Sequence, residues 1–437
     1  MDPLEKEQTE TAWHLLCVYM VLALYRPLWL ASYYVEPIGN LKMLQTILLV
    51  FLVVQWIFLS PKREHYPLLL VLIVWISLTG LFADNTGRAR VLVRQVIETY
   101  GFALLVFSYA RVPERINRLF TIYCVYFIYI AVWGALGKGR VWWDFLLNEE
   151  DAYGPLMCMA FAFCYHYALA RTGWFKRLGY LGAVFGAVGV VISFARGSFF
   201  CLLATAIYLI VRSGKVFKGV AVLAVLAILV AGSASLVFDM DVYWREIMSS
   251  SEGTSAGTGL DRKILWEVAW LEFLDYPLGG VGPYNFGIKA PAYISQVEDP
   301  GNYHGDNIYG RALHNGYMQI LCELGSVGVL IFTLMIGHFF RVNWRMQREF
   351  RRRGPPWPAT PPRGGPVDYL ALARGLEVAM IALLTNVFFY DIIFYGWLFD
   401  LAILNLALSR CLGPAAAEVE PAPPGGEYDP FADARHA

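Results

Sequence analysis

Charge is scarce in this sequence, and what there is balances. Asp, Glu, Lys and Arg make up 16% of 437 residues, 35 acidic against 35 basic, where a soluble chain carries about a quarter. The shortage excludes an ordinary soluble domain, and the missing basic surplus gives no reason to expect nucleic acid as a partner. Metal-type spacing is lacking too. The 7 cysteines form no CxxC or CxxH arrangement and nearly all sit inside apolar runs, so they read as small core hydrophobes. No carboxylate–histidine set has ligand spacing, and neither a metal nor a cofactor is expected. A cleavable signal segment is not expected either: the N-terminal stretch "MDPLEKEQTE" is acidic, and the first apolar run has no small-residue cleavage site.

Apolar sequence is what the chain has in plenty. Hydrophobic residues reach 57% and aromatics 16%, gathered into runs of roughly 18 to 22 residues, the length that crosses a hydrocarbon core of about 30 Å. The expected fold class is all-α: a polytopic integral membrane protein of about twelve transmembrane helices. The spans fall near 12–30, 38–59, 66–83, 91–110, 116–137, 152–170, 178–194, 197–212, 216–238, 318–340, 368–389 and 391–410.

Lysine and arginine orient them. With a cytoplasmic N-terminus, the inner loops hold Lys62 and Arg63; Arg111, Arg115 and Arg118; Arg171, Lys176 and Arg177; Arg212, Lys215 and Lys218; and the basic loop 341–366. The outer short loops hold only Arg88, Arg90, Lys138, Arg140 and Arg196. The even span number returns the C-terminus to the cytoplasm, where the Pro/Ala/Gly-rich stretch 413–437 reads as a disordered tail. The chain then divides into an N-terminal bundle over 1–238, with about nine spans, a large outer loop over 239–313, and C-terminal helices over 314–412.

A loop as long as 239–313 is usually functional or disordered, and its many Tyr and Trp residues argue against disorder. Inside it, "LDRKILWEVAWLEFLDYPLGG" reads as an amphipathic helix. Asp261 is the expected N-cap, Leu265, Trp266, Ala269 and Trp270 form the apolar stripe, and Pro277 with Gly279 and Gly280 stops the helix. Such a helix would lie on the membrane surface, tucked over the bundle.

Three polar groups fall on this outer side. Arg196 sits at the tight turn between two spans, Arg262 near the start of the amphipathic helix, and His314 at the leading edge of the tenth span. Charged groups at membrane depth mark functional sites. Guanidinium forks match phosphate oxygens, and histidine exchanges a proton near neutrality. In the first turn of its helix, His314 would be held neutral by the local positive potential, the form a general base needs. Each group also has a structural reading: Arg196 as a snorkelling helix end, Arg262 beside Lys263 as an interfacial anchor, His314 with Asn315 as a helix cap. Arg94 and Glu98, spaced i,i+4, read as an intramembrane pair or a proton relay; His304 and Asp306 read as loop or substrate contact.

The order "ARGSFF", "LDRKILWEVAWLEFLDYPLGGVGPYNF", "LHNGYMQILCELGSVGVLIF" resembles the membrane O-antigen ligase and polymerase family over residues 190–335. Arg196 with Gly197, Arg262 leading to Pro277, Gly280 and Gly282, and His314 with Asn315 before Glu323, Gly325 and Gly328 match the family's motifs in order. The resemblance implies a metal-independent, inverting glycosyltransferase, akin to the GT-C-like enzymes that use lipid-linked donors. It would sit in the bacterial inner membrane among its lipids, its site facing the periplasm. The donor would be a glycan on undecaprenyl pyrophosphate, gripped by Arg196 and Arg262. His314 would take the proton from an acceptor hydroxyl, on lipid A core or on a lipid-linked repeat. Asn315, Gly280, Gly282, Tyr284 and Asn285 would support the site or touch substrate, the glycines by letting backbone approach a ligand or simply by making a turn. A different class, a secondary transporter or flippase for an anionic or lipid-linked substrate, would instead employ Arg94, Glu98 and the outer arginines.

Overall fold

The computed structural model describes residues 3–26, 42–59, 66–144, 146–213, 259–301, 303–353 and 365–411. Its regular elements are helical throughout: α1 (Pro3–Met20, running into a π turn at Val21–Tyr25), α2 (Lys42–Leu59), α3 (Pro67–Leu81), α4 (Thr86–Tyr109), α5 (Pro113–Leu136), α6 (Glu150–Ala170), α7 (Gly173–Ile192), α8 (Arg196–Ser213), α9 (Gly259–Asp275), α10 (Gly316–Arg353), α11 (Tyr369–Val387) and α12 (Trp397–Cys411). Among the described residues no strand occurs. Five helices, α4, α5, α7, α10 and α11, are long and apolar enough to cross a bilayer. Over the described residues, every expected span except the ninth coincides largely with a helix. The ninth, 216–238, the first part of the large loop, 239–258, and the tail 413–437 lie outside the described residues.

The core is built around α6, buried along almost its whole length. Glycines explain how it can be wrapped so closely. On α7 they recur on one face, and a Cβ at Gly179 would come 2.6 Å from Ala168 N, one at Gly186 2.7 Å from Phe161 N. Backbones can touch there only because no side chain intervenes, the packing that small residues permit between membrane helices.

The stretch expected as the first part of a basic loop is helix instead. α10 continues to Arg353, and its unbroken part after Gly325 runs about 42 Å at 1.5 Å per residue, beyond a bilayer core of about 30 Å. The reason lies in the segment "RVNWRMQREFRRR": Asn343, Met346, Gln347 and Phe350 are buried at helical spacing, while arginines occupy the other faces. Asn343 Nδ2 donates to Ala373 O and Asn405 Oδ1, and Gln347 Nε2 donates to Asn343 Oδ1 and to Glu377 Oε2 at 2.7 Å. This satisfied polar chain ties α10, α11 and α12 together.

Loops that read as outer in the sequence meet at one end of the bundle. Gly139 lies against Ile192 and Ser193, Gly282 against Ala83, and Gly197 against Phe389 and Tyr390. The non-glycine residues with left-handed backbone among those described are Arg26, Lys138, Phe194, Tyr284 and His314. The last four lie in these loops, and Arg26 joins them by pairing with Asp144. Each such conformation costs on the order of 1–3 kcal/mol and persists only where the surroundings enforce it, commonly at functional sites.

Candidate functional site

Two strained residues prepare this end. Phe194 (φ 55°) turns the chain between α7 and α8, so that Arg196 becomes the first residue of α8. Gly197 then packs on Phe389 and Tyr390, and Ser198 N donates to the Tyr390 hydroxyl while Ser198 Oγ donates to Asn386 Oδ1 at 2.9 Å. The other strained residue is His314 itself (φ 53°).

His314 is not in its helix. α10 begins at Gly316, and the cap is Asn315, whose Oδ1 accepts from Tyr317 N and Met318 N. The pair His314–Asn315 thus divides its roles: Asn315, buried, closes the helix, and His314 is released from capping. Its backbone is pinned from both sides. Trp266 Nε1 donates to Leu313 O, and Asn315 N donates to Asp391 Oδ1 at 2.8 Å.

The expected neutralising effect of a helix start is therefore replaced by another environment. His314 Nδ1 lies 3.2 Å from Asp151 Oδ2 in the first turn of α6. That hydrogen bond is the largest influence on the imidazole and raises its pKa above the ordinary 6.5; desolvation opposes it, Asp391 and Asp151 charges add to it, and the Arg262 charge counters them.

Arg262 belongs to α9, one turn before Trp266, whose ring holds Leu313 and meets Phe388 edge-on. Its charge is felt at both His314 and Tyr390. The segments that carry Arg196, Arg262 and His314, far apart in sequence, thus meet at Tyr390, Leu313 and Phe388. Sequence reasoning missed Tyr390, Asp391 and Asp151. The last had a signal: "EED" heads the sixth span just as His314 heads the tenth.

α9 differs in detail from expectation. The helix already includes Gly259, so Asp261 lies inside it rather than capping it. The buried stripe is Ile264, Leu265, Val268, Ala269 and Glu272, and Trp270 is exposed. A satellite core with Phe286, Ile294, Ile308, Leu313 and Cys322 receives that stripe, so the helix packs on the protein's own outer loop and on α10.

The turn after α9 docks onto α10. Val281 N and Gly282 N donate to Cys322 O and Glu323 O, Ser326 N donates to Pro277 O, and Glu323 accepts from Tyr284 N and Phe286 N. Gly280 (φ 67°) would bring a Cβ to 2.3 Å from Glu323 C, and Gly325 (φ 66°), the non-helical break in α10, one to 2.2 Å from Leu278 O. Gly280 thus packs on α10, Gly325 back onto Leu278, and Gly282 against Ala83 between α3 and α4. Asn285, buried, exchanges hydrogen bonds with the Asn85 backbone, a clasp between loops. Tyr284 stacks edge-on against Phe394. His304 caps a short helix, Gly305–Ile308, with Asn307 in reciprocal hydrogen bonds. Arg94 and Glu98 pair at 2.8 Å on α4.

Beside the site, an apolar groove opens between α8 and α11, lined by Phe200, Cys201, Tyr317, Leu384 and Phe388.

No curated protein matches this chain. Residues 181–333 match the family model described as O-antigen ligase. The matched segment takes in the Arg196 turn, α9 with Arg262, the glycine turn, His314 and Glu323, while Asp151, Tyr390 and Asp391 lie beyond its limits. Over that segment, about a third of its length, the chain is similar to the O-antigen ligase family.

Proposed function

We propose that the protein transfers a glycan from undecaprenyl pyrophosphate to an acceptor sugar hydroxyl on the periplasmic face of the bacterial inner membrane. The observation that carries this reading is that the segments bearing Arg196, Arg262 and His314 meet at Tyr390, Leu313 and Phe388. In this reading the end bearing the site faces the periplasm, both termini are cytoplasmic, and the bundle has about twelve spans of a GT-C-like kind.

The chemistry assigned to each group follows from its type. The acceptor oxygen attacks the anomeric carbon as the carbon–oxygen bond to pyrophosphate breaks, and attack from the opposite face inverts that carbon. Neutral His314 receives the hydroxyl proton, worth roughly 10²–10⁴-fold in rate. Arg196 and Arg262 take the charge that gathers on the departing pyrophosphate, where fixed guanidiniums are most effective. No metal is given a step. The groove along Phe200, Tyr317 and Phe388 offers the polyprenyl tail a lateral berth next to the arginines.

Acceptor identity separates two outcomes, ligation to lipid A core and polymerisation of lipid-linked repeats. The test is transfer by purified protein in nanodiscs supplied with undecaprenyl pyrophosphate-linked repeats, with and without lipid A core. Longer lipid-linked chains from donor alone mean polymerisation, and product dependent on lipid A core means ligation. His314→Ala should insert and fold yet give neither; transfer at the wild-type rate by that variant would overturn the assignment of the base.

A further inference from the structure

We infer that Asp151 is the positioning residue for His314: it accepts the Nδ1 hydrogen and so leaves Nε2 as the atom that receives the acceptor's proton. This deepens the proposed transfer reaction and depends on His314 acting there as the base.

The geometry begins with how little freedom His314 keeps. Leu313 O and Asn315 N are both hydrogen-bonded, and φ is held at 53°. What remains adjustable is the ring, and its Nδ1 sits 3.2 Å from Asp151 Oδ2. The carboxylate, 37% exposed, stands on a helix whose backbone is firmly packed. Asp151 lies in the first turn of the most buried helix. Three residues on, Gly154 is so close to Ala195, Ser193 and Ser198 that a Cβ would reach 2.8 Å from each. The same face of α6 thus abuts the turn that presents Arg196 and the ring of His314. A base must be held within hydrogen-bond reach and in one tautomer to work. A carboxylate on the far nitrogen provides both and stabilises the imidazolium that forms.

The groups facing His314 come from three elements: Asp151 on α6, Asp391 on the α11–α12 loop, and Arg262 on α9. Tyr390, in the same loop, feels both Asp151 and Arg262, and Tyr395 feels Glu149, Asp151 and Asp391. Two carboxylates against one guanidinium favour the imidazolium. A base must be neutral, so transfer should rise with pH through a midpoint above the ordinary histidine value of about 6.5. Asp151→Asn removes one carboxylate charge and the fixed acceptor. Its acid limb should move to lower pH, while the plateau rate at high pH falls on the order of 10-fold to 100-fold, inside the range a positioned base contributes. Asp151→Glu, which keeps the carboxylate, should recover part of that plateau and return the limb toward wild type.

The experiment is the pH profile of glycan transfer by wild type, Asp151→Asn and Asp151→Glu in nanodiscs. It is paired with the pH dependence of His314 carbethoxylation by diethyl pyrocarbonate, read by mass spectrometry. The labelling reports neutral imidazole without requiring turnover. A lower labelling midpoint and a lower acid limb in Asp151→Asn, with both restored in Asp151→Glu, support the positioning role. An unchanged midpoint and limb in a folded Asp151→Asn protein overturn it. Wild-type protein that labels with a raised midpoint but transfers no glycan would instead remove the transfer reading and leave the pairing intact.

Discussion

The hydroxyl of Tyr390 accepts the backbone N–H of Ser198 at 3.2 Å, and the carbonyl of the same tyrosine accepts Gly316 N at 3.1 Å. One buried residue therefore links, through its hydroxyl and its backbone carbonyl, the helix that starts with Arg196 and the helix that follows His314. Tyr390→Phe should lose transfer activity several-fold while shifting the unfolding midpoint only slightly. It leaves one backbone N–H short of a partner, a cost of about 1–3 kcal/mol. Comparing kcat with thermal unfolding in detergent checks this; a stability loss with full activity per folded molecule would contradict it.

The arginines are expected to resist conservative exchange. Arg196→Lys and Arg262→Lys keep the charge but lose the planar fork that meets two phosphate oxygens at once. Each should raise the KM for lipid-linked donor and lower kcat, with the alanine variants worse again. Steady-state kinetics with a fixed acceptor would show it, and lysine variants indistinguishable from wild type would take the pyrophosphate away from these residues.

Glu272 carries a different prediction. It is fully buried on α9, and neither carboxylate oxygen has a hydrogen-bond partner among the described residues. Burial, aided by the nearby Glu323 charge, pushes its pKa up to about 9. A carboxyl that keeps its proton when folded and loses it when unfolded makes stability fall as pH rises from about 4.5, and the whole loss is reached near pH 9. Glu272→Gln removes that dependence. Relative to wild type it should gain stability between pH 5 and pH 8, by several kcal/mol at about 1.4 kcal/mol per pH unit. Denaturation at the two pH values tests the sign.

Gly280→Ala should unfold the outer loop. The added Cβ meets Glu323 backbone at 2.3 Å, and φ is 67°, which L-residues adopt at a cost. Limited proteolysis of the segment 276–315 would read the effect. A variant as resistant as wild type would mean that the turn tolerates a side chain.

Much of this was legible in the chain, and the parts that were not share a physical cause. Runs of apolar residues located nearly every long helix among the described residues, because membrane length is a local property. Arg196, Arg262 and His314 stood out because charge beside an apolar run is expensive. Asp151 is the same kind of signal and was passed over amid neighbouring acids. Tyr390 could not be found this way, since a tyrosine at a span's edge is ordinary and its importance lies in two partners nearly 200 and 75 residues away. On α9, Trp266 and Trp270 looked like one stripe, yet the helix turns Val268 and Glu272 inward and Trp270 outward. The apolar periodicity fits either face, and only the satellite core decides. The extension of α10 past the bilayer length was hidden by its arginines, which mask the buried Asn343, Gln347 and Phe350.

The loop between α11 and α12 supplies both Tyr390 and Asp391, and it follows Arg196, Arg262 and His314 in chain order. A nascent chain that has delivered Arg196, Arg262 and His314 to the membrane still lacks the peg between them and the acceptor for Asn315 N. Assembly thus has a checkpoint: the segments that carry these three groups are fixed in place only once the loop between α11 and α12 is seated.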